Sequence, residues 1–298
     1  MRIPERLLAN SADEDWADWL ARLPGMITDL LREWRLSPDG EPMAGAAAYV
    51  LPVRDADRRP AALKITMPHW EAEREHLALR AWDGNGAVRL YRADPHRWAM
   101  LLERADHSRD LNEPDIREAC EIVAGLYARL HRPAIPQLRR LSDFIGEVAD
   151  QLGALHDHPA VPRRLVDQAR SLARGFAADP DTDGLLIHTD LHYDNVLASD
   201  REPWLVIDPK PLSGDPAYEI APLLWNRWDE AVATDDLRNA ILDRLFTVID
   251  TAGLDEDRVR NWVIVRELTN VMYAIQGGSS PDDDWITISI VIAKAVLL

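Results

Sequence analysis

The chain has 298 residues, and 34 Lys and Arg stand against 51 Asp and Glu, a net charge of −17. That balance excludes a general nucleic-acid binder, which needs a basic surface to displace phosphate counterions. With 47% hydrophobic and 29% charged residues the chain is globular, and its single cysteine, Cys120, excludes an internal disulfide or a cysteine-rich metal site.

Residues 1–15 lack the apolar run of a signal peptide. Apolar residues at three- and four-residue steps over 11–35 (Trp16, Trp19, Leu20, Leu23, Ile27, Leu30, Leu31) predict an amphipathic helix or two, broken near Pro24-Gly25. Short strands are expected at Ala47 to Val53 and Ala61 to Ile65, then a helix from about His69 to Trp82 that ends at Asp83-Gly84-Asn85-Gly86. Val88 to Arg92 and Trp98 to Glu103 would complete an antiparallel sheet around the turn at Asp94-Pro95.

From about Pro114 the pattern is helical, at Ile116 to Leu130, Leu141 to Leu155, Val161 to Phe176, Leu237 to Ala252 and Val259 to Ile275. Between them lie apolar runs too short for helices: Leu185 to Ile187, Asn195 to Leu197 and Trp204 to Ile207. A small sheet-and-helix lobe therefore precedes a larger helical one, with the boundary near 104–112. The tail Trp285 to Leu298 is interrupted by Lys294 and too short to span a bilayer, so a cytoplasmic protein is expected.

The chemistry concentrates in His188-Thr189-Asp190-Leu191-His192-Tyr193-Asp194-Asn195, followed by Asp208 after the next apolar run. This H-x-D-x4-N spacing is that of a phosphoryl-transfer loop. Such a reaction needs one carboxylate to orient and deprotonate a hydroxyl, and further oxygen ligands to hold Mg²⁺ against the phosphates. Asp190 is the candidate base, and Asn195 with Asp208 the candidate metal ligands. The bland alternative is a polar turn between two strands. Only three lysines occur, Lys64, Lys210 and Lys294. Lys64 sits inside an apolar strand, where its charge needs a partner, and Glu71-Ala72-Glu73-Arg74-Glu75 follows on the next element.

The segments Gly40 to Val53, Ala61 to Ile65, Glu71 to Tyr91, His188 to Leu197 and Glu202 to Arg227 resemble the aminoglycoside phosphotransferase family, in the branch that holds the streptomycin and hydroxyurea phosphotransferases. The resemblance covers about Leu36 to Arg227 and is thin in the last seventy or so residues. The Asp208-Pro209-Lys210-Pro211 run with Gly214-Asp215-Pro216-Ala217-Tyr218 is the part most specific to that branch.

The resemblance implies a bilobal, protein-kinase-like α+β fold, with a nucleotide-binding lobe over 1–103 and a catalytic and acceptor-binding lobe over 104–298. By the same resemblance Lys64 binds phosphate, Glu75 is its partner, the backbone at Glu103 and Ala105 holds adenine, and Gly45 and Ala46 belong to the loop that covers the nucleotide. It implies ATP, with GTP open, Mg²⁺, a small hydroxyl acceptor of cationic character such as a streptomycin-type antibiotic, and a monomer or homodimer. A nucleoside antibiotic, a sugar or another metabolite is the alternative acceptor, and a non-catalytic nucleotide-binding regulator the alternative of another class.

Two positions depart from the family, which usually has Gly where Thr189 and Asp194 stand. Asp194 is expected to face solvent, and Lys210 to anchor the metal loop. Acceptor candidates are Asn226, Asp229 and Glu230, expected on one helix turn, with Glu267, Asn270 and the run Asp282-Asp283-Asp284; for each alone, a solvated helix face is the plainer reading. His131 is expected to cap or pack at a helix end.

Overall fold

A computed structural model describes residues 2–9, 13–278 and 283–297. The chain forms two compact units, 1–107 with 198–207, and 108–197 with 208–298. The second lobe expected from the sequence, 104–298 without interruption, thus gives residues 198–207 to the first unit. The local reason is a backbone match: Val206 N–H donates to the Gly86 carbonyl and Val88 N–H to the Val206 carbonyl.

In the first unit an antiparallel sheet runs in the order Ser37–Pro38, Ala48–Arg54, Pro60–Thr66, Ala99–Glu103, Leu90–Asp94, and Met43–Ala44 pairs with Ala48–Arg54 as well. Strand alternation sends Tyr49, Leu51, Val53, Ala61, Leu63, Ile65, Ala99 and Leu101 into one core with Trp19, Leu20, Leu23, Ile27 and Leu30 of the Glu14–Glu33 helix. Lys64, in register between Val50 and Met100, therefore projects from the opposite face of the sheet.

The Glu14–Glu33 helix is continuous through Pro24, contrary to the expected break. Proline removes one helical donor. Here the buried stripe continues on both sides of it, and that packing outweighs one lost bond. The helix expected from His69 begins instead at Glu75, after turns in which Ala72 N–H donates to the His69 carbonyl and Glu75 N–H to the Ala72 carbonyl. It ends at Asp83 in the left-handed conformation (φ 48°), as the Asp-Gly-Asn-Gly run requires.

The second unit contains the helices Ile116–Leu130, Leu141–Gln151, Arg163–Ala178, Leu237–Ala252, Glu256–Gln276 and Asp284–Ala295. Asp115, Asp236 and Asp255 cap three of them by accepting backbone N–H groups. Phe176 stacks on Trp262 at 3.7 Å between ring centroids, and Tyr218 meets the same indole edge-on. Leu185–Ile187 is the middle strand of a small antiparallel sheet between Arg132–Pro133 and Leu212–Gly214. A Cβ at Gly214 would meet the terminal methyl of Ile187, so a larger residue there requires that side chain to move. Among the described residues no helix is long and apolar enough to cross a membrane.

Candidate active site

In the first unit Lys64 Nζ donates to both Glu75 oxygens, at 2.7 and 2.8 Å. The two residues are 5% and 1% exposed, so the pair compensates two buried charges. Glu75 opens its helix, where the helix dipole favours a carboxylate. Gly45 and Ala46 lie in the hairpin turn between Met43–Ala44 and Ala48–Arg54, closed by Gly45 N–H donating to the Ala48 carbonyl at 2.8 Å, with Ala46 exposed at its tip.

Glu103 ends its strand and Ala105 follows in irregular backbone. A residue that motif reading missed holds this point. Arg201 donates Nε to Glu103 Oε1 (2.8 Å) and Nη2 to Oε2 (2.9 Å), and adds bonds to the Gly84 and Ala87 carbonyls and to Glu202. Burial raises the Glu103 carboxyl, but the bonds from Arg201 and from Arg89 N–H outweigh it and hold the group below the usual carboxylate range.

In the second unit Asp190 sits in a loop fixed from beneath by Glu219. That carboxylate is fully buried and accepts the backbone N–H groups of His188 and Thr189 with Oε1, while Oε2 pairs with His131 Nε2 at 2.9 Å. Burial pushes Glu219 up; the His131 hydrogen bond and the charges and N–H groups around it prevail and keep it low. His131 does end its helix and stacks on Tyr127, as packing predicted, and it also braces the base loop through Glu219. Arg266 Nη2 holds the Thr189 carbonyl at 2.8 Å. Thr189 has φ 65°, a conformation in which a β-branched residue is uncommon, and that accounts for glycine being usual here in the family it resembles.

Asn195 Nδ2 donates to the Asp190 carbonyl (2.8 Å) and lies 3.1 Å from His192 Nε2. With the nitrogen so engaged, the amide oxygen is the atom left to face a cation. His192 Nδ1 meets Asp194 Oδ2 at 3.1 Å, and Asp194 also accepts from Asn112 (2.8 Å) and Asn226 (3.1 Å). Asp194 is exposed, as expected, and is at the same time the hub of a polar network. The His192 hydrogen bond, helped by Asn112 and Asn226 against burial, pulls its carboxyl far below the ordinary range.

Asp208 follows the Trp204–Val206 strand, half-buried, at φ 56°. One amide oxygen and one carboxylate make a hard donor set that fits Mg²⁺, whose shell is normally completed by phosphate oxygens and water. Among the described residues no group of three or more His, Cys, Asp or Glu is arranged to hold a metal by itself. The flanking strands Leu185–Ile187 and Val196–Ala198 belong to separate sheets, so the loop is not held at one shared sheet end. Lys210 does not simply anchor the metal loop; its Nζ donates to Asp190 Oδ2 at 2.5 Å.

The acceptor candidates scatter. Asn226 closes the Ala221–Trp225 helix, whereas Asp229 and Glu230 open the next one beyond Arg227 at φ 54°, so the three do not share a helix turn. Glu230 is exposed and paired with Arg227; Asp229 is exposed. Glu267 is wholly buried on the Glu256–Gln276 helix, and its carboxyl is raised to about 8 by burial, which removes it from any acceptor surface. Its neighbour Asn270 lies 3.5 Å from Glu267 Oε2. Asp282 lies outside the described residues, and Asp283 caps the final helix.

An ion-paired strand lysine on an antiparallel sheet, and an H-x-D-x4-N loop followed by an aspartate in a helical unit, together define a small-molecule kinase. The family model for aminoglycoside/hydroxyurea antibiotic resistance kinases matches residues 33–277, and the chain belongs to that family. It is 40% identical to a streptomycin 6-kinase of Streptomyces glaucescens, over 95% of this chain and 94% of the relative. It is also 40% identical to a hydroxyurea phosphotransferase of Kitasatospora aureofaciens, over 88% of this chain and 76% of the relative. A solved aminoglycoside phosphotransferase, APH(4)-Ia in ternary complex with ADP and hygromycin B, shares the fold at TM-score 0.60 and 17% identity, over 90% of this chain and 96% of that one.

Proposed function

We propose that this kinase transfers the γ-phosphoryl group of ATP to a hydroxyl of a streptomycin-type aminoglycoside in the cytoplasm, and so inactivates the antibiotic. The observation that carries this reading is the 40% identity to a streptomycin 6-kinase over nearly the full length of both chains; the hydroxyurea relative is covered less completely. The acidic chain suits a cationic acceptor.

In this reading Lys64, fixed by Glu75, binds the α- and β-phosphates. The Gly45-Ala46 turn covers them, and the backbone at Glu103 and Ala105 holds adenine. Asn195 and Asp208 would hold Mg²⁺, which when bound supplies charge neutralisation at the β- and γ-phosphates. Asp190 orients the acceptor hydroxyl and takes its proton. As that proton leaves, the acceptor oxygen bonds to the γ-phosphorus, the bridging P–O bond breaks, and its electron pair departs on ADP.

The test is ADP release with Mg·ATP, and with Mg·GTP in parallel, across streptomycin, other aminoglycosides, hydroxyurea, nucleoside antibiotics and simple sugars. Turnover with streptomycin well above the rest is the expected result. Turnover with hydroxyurea or a sugar and none with streptomycin would overturn the acceptor while leaving the kinase.

A further inference from the structure

Lys210 is a charged residue that the reaction as described leaves without a role, and it touches the base loop at three successive residues. Its N–H donates to the His188 carbonyl at 3.0 Å, its carbonyl accepts from Thr189 Oγ1 at 2.6 Å, and its Nζ donates to Asp190 Oδ2 at 2.5 Å. The two backbone contacts could be made by almost any residue at 210. The third requires a cationic N–H donor at the end of a long side chain. The Thr189 hydroxyl bond also ties down the residue whose backbone is held at φ 65°.

Asp190 has two oxygens and two side-chain torsions, and a base works only when one oxygen is held within hydrogen-bond reach of the hydroxyl. Lys210 occupies Oδ2. His192 Nε2, at 3.9 Å from the same oxygen, is too far to fix the carboxylate. The side chains of Lys210 and Asp190 are 26% and 19% exposed, so the pair is sheltered enough to keep one geometry. An unpaired carboxylate beside a polycationic acceptor would also be captured by the acceptor's own cations, and the lysine pre-empts that contact.

We propose that Lys210 is a positioning residue for the base. It fixes the Asp190 carboxylate through Oδ2 and assigns Oδ1 to take the hydroxyl proton as the acceptor oxygen bonds to phosphorus and ADP leaves. This rests on the reading of Asp190 as the base.

The experiment is a double-mutant cycle in the full-length protein with Asp190→Asn and Lys210→Met, using streptomycin and Mg·ATP for kcat and KM and calorimetry for the ADP Kd. Lys210→Met should lower kcat about 10- to 100-fold, the scale of a misplaced catalytic group. The ADP Kd and the ATP KM should stay within about threefold, as expected for a residue that acts on the transition state alone. The double variant should be no slower than Asp190→Asn alone, because Lys210 would have nothing left to position. Lys210→Arg should recover at least part of the loss by offering an N–H to Oδ2. If Lys210→Met does not fold, Lys210→Gln takes its place in the same cycle.

A native kcat in the Lys210 variant overturns the proposal, and so does a double variant slowed by the product of the two single losses. If Asp190→Asn itself turns over at the native rate, the base reading has failed; if only Asp190→Asn is slow, the failure is that of Lys210.

Discussion

Glu75→Ala would leave the Lys64 ammonium without its carboxylate in a site where the lysine is 5% exposed. An exposed ion pair is worth about 0–1 kcal/mol. Breaking a buried one by removing a single partner costs about 3–5 kcal/mol, because the remaining charge stays desolvated. The bidentate contact at 2.7 and 2.8 Å and the 1% exposure of Glu75 place this pair in the second class. The assay is urea unfolding followed by tryptophan fluorescence, with a thermal scan alongside. At roughly 2–4 °C per kcal/mol for a chain of this size, the melting temperature should fall by about 6–20 °C. Glu75→Gln, which keeps one acceptor oxygen, should lose less. The double variant Lys64→Met with Glu75→Leu should recover much of the stability, since a buried pair is replaceable by apolar groups, but not the ATP affinity. A Glu75→Ala loss below about 1 kcal/mol would refute the reasoning, because it would place the pair with exposed ones.

Glu267, raised to about 8 by burial, stays protonated in the folded chain while its unfolded counterpart ionises near 4.5; stability contributed by this group is therefore lost as pH rises from about 4.5 to 8. Glu267→Gln should gain a few kcal/mol at pH 8 and almost nothing at pH 4.5, and equal effects at both would exclude the shift. Asp194→Gly, which restores the residue usual in the family it resembles, removes the carboxylate that holds His192 and through it Asn195. The Mg²⁺ dependence of ADP binding should weaken about tenfold, as for other groups that orient metal ligands, and an unchanged titration would break that chain. Arg201→Ala should raise the ATP KM several-fold with little change in kcat, because it frees Glu103 without touching the base; a kcat loss with native KM would contradict this. If the acceptor is drawn by charge, its KM should rise with ionic strength on the scale of the Debye length, and a flat response would indicate a neutral acceptor.

Much of the frame was legible because it is written locally. The Ile116–Leu130 and Leu237–Ala252 helices follow directly from apolar spacing, and Asp83-Gly84 marks a helix end by its φ requirement. The Lys64–Glu75 pair spans eleven residues, and a charge inside an apolar strand announces the need for it. What periodicity could not show are bonds between distant residues of ordinary type. Glu219 lies 31 residues from His188, and Arg201 lies 98 from Glu103; neither carries a motif of its own. An arginine using bonds to two carboxylates and two carbonyls looks like surface charge in sequence. Pro24 shows the converse, a local helix breaker overruled by a core that forms on both sides of it. Glu267 illustrates the same limit: on a helix it reads as a solvated acid, and only the packing of the Asp284–Ala295 helix against its own shows that it is buried.

The measurement that tests the proposed function most directly is phosphorus NMR of the product after incubation of the native chain with streptomycin and Mg·ATP. The reading predicts one new phosphate monoester on a streptomycin hydroxyl, formed in step with ADP and reduced at least a hundredfold in Asp190→Asn. ADP released with inorganic phosphate alone, or a streptomycin ester formed equally fast without the Asp190 carboxylate, would contradict it.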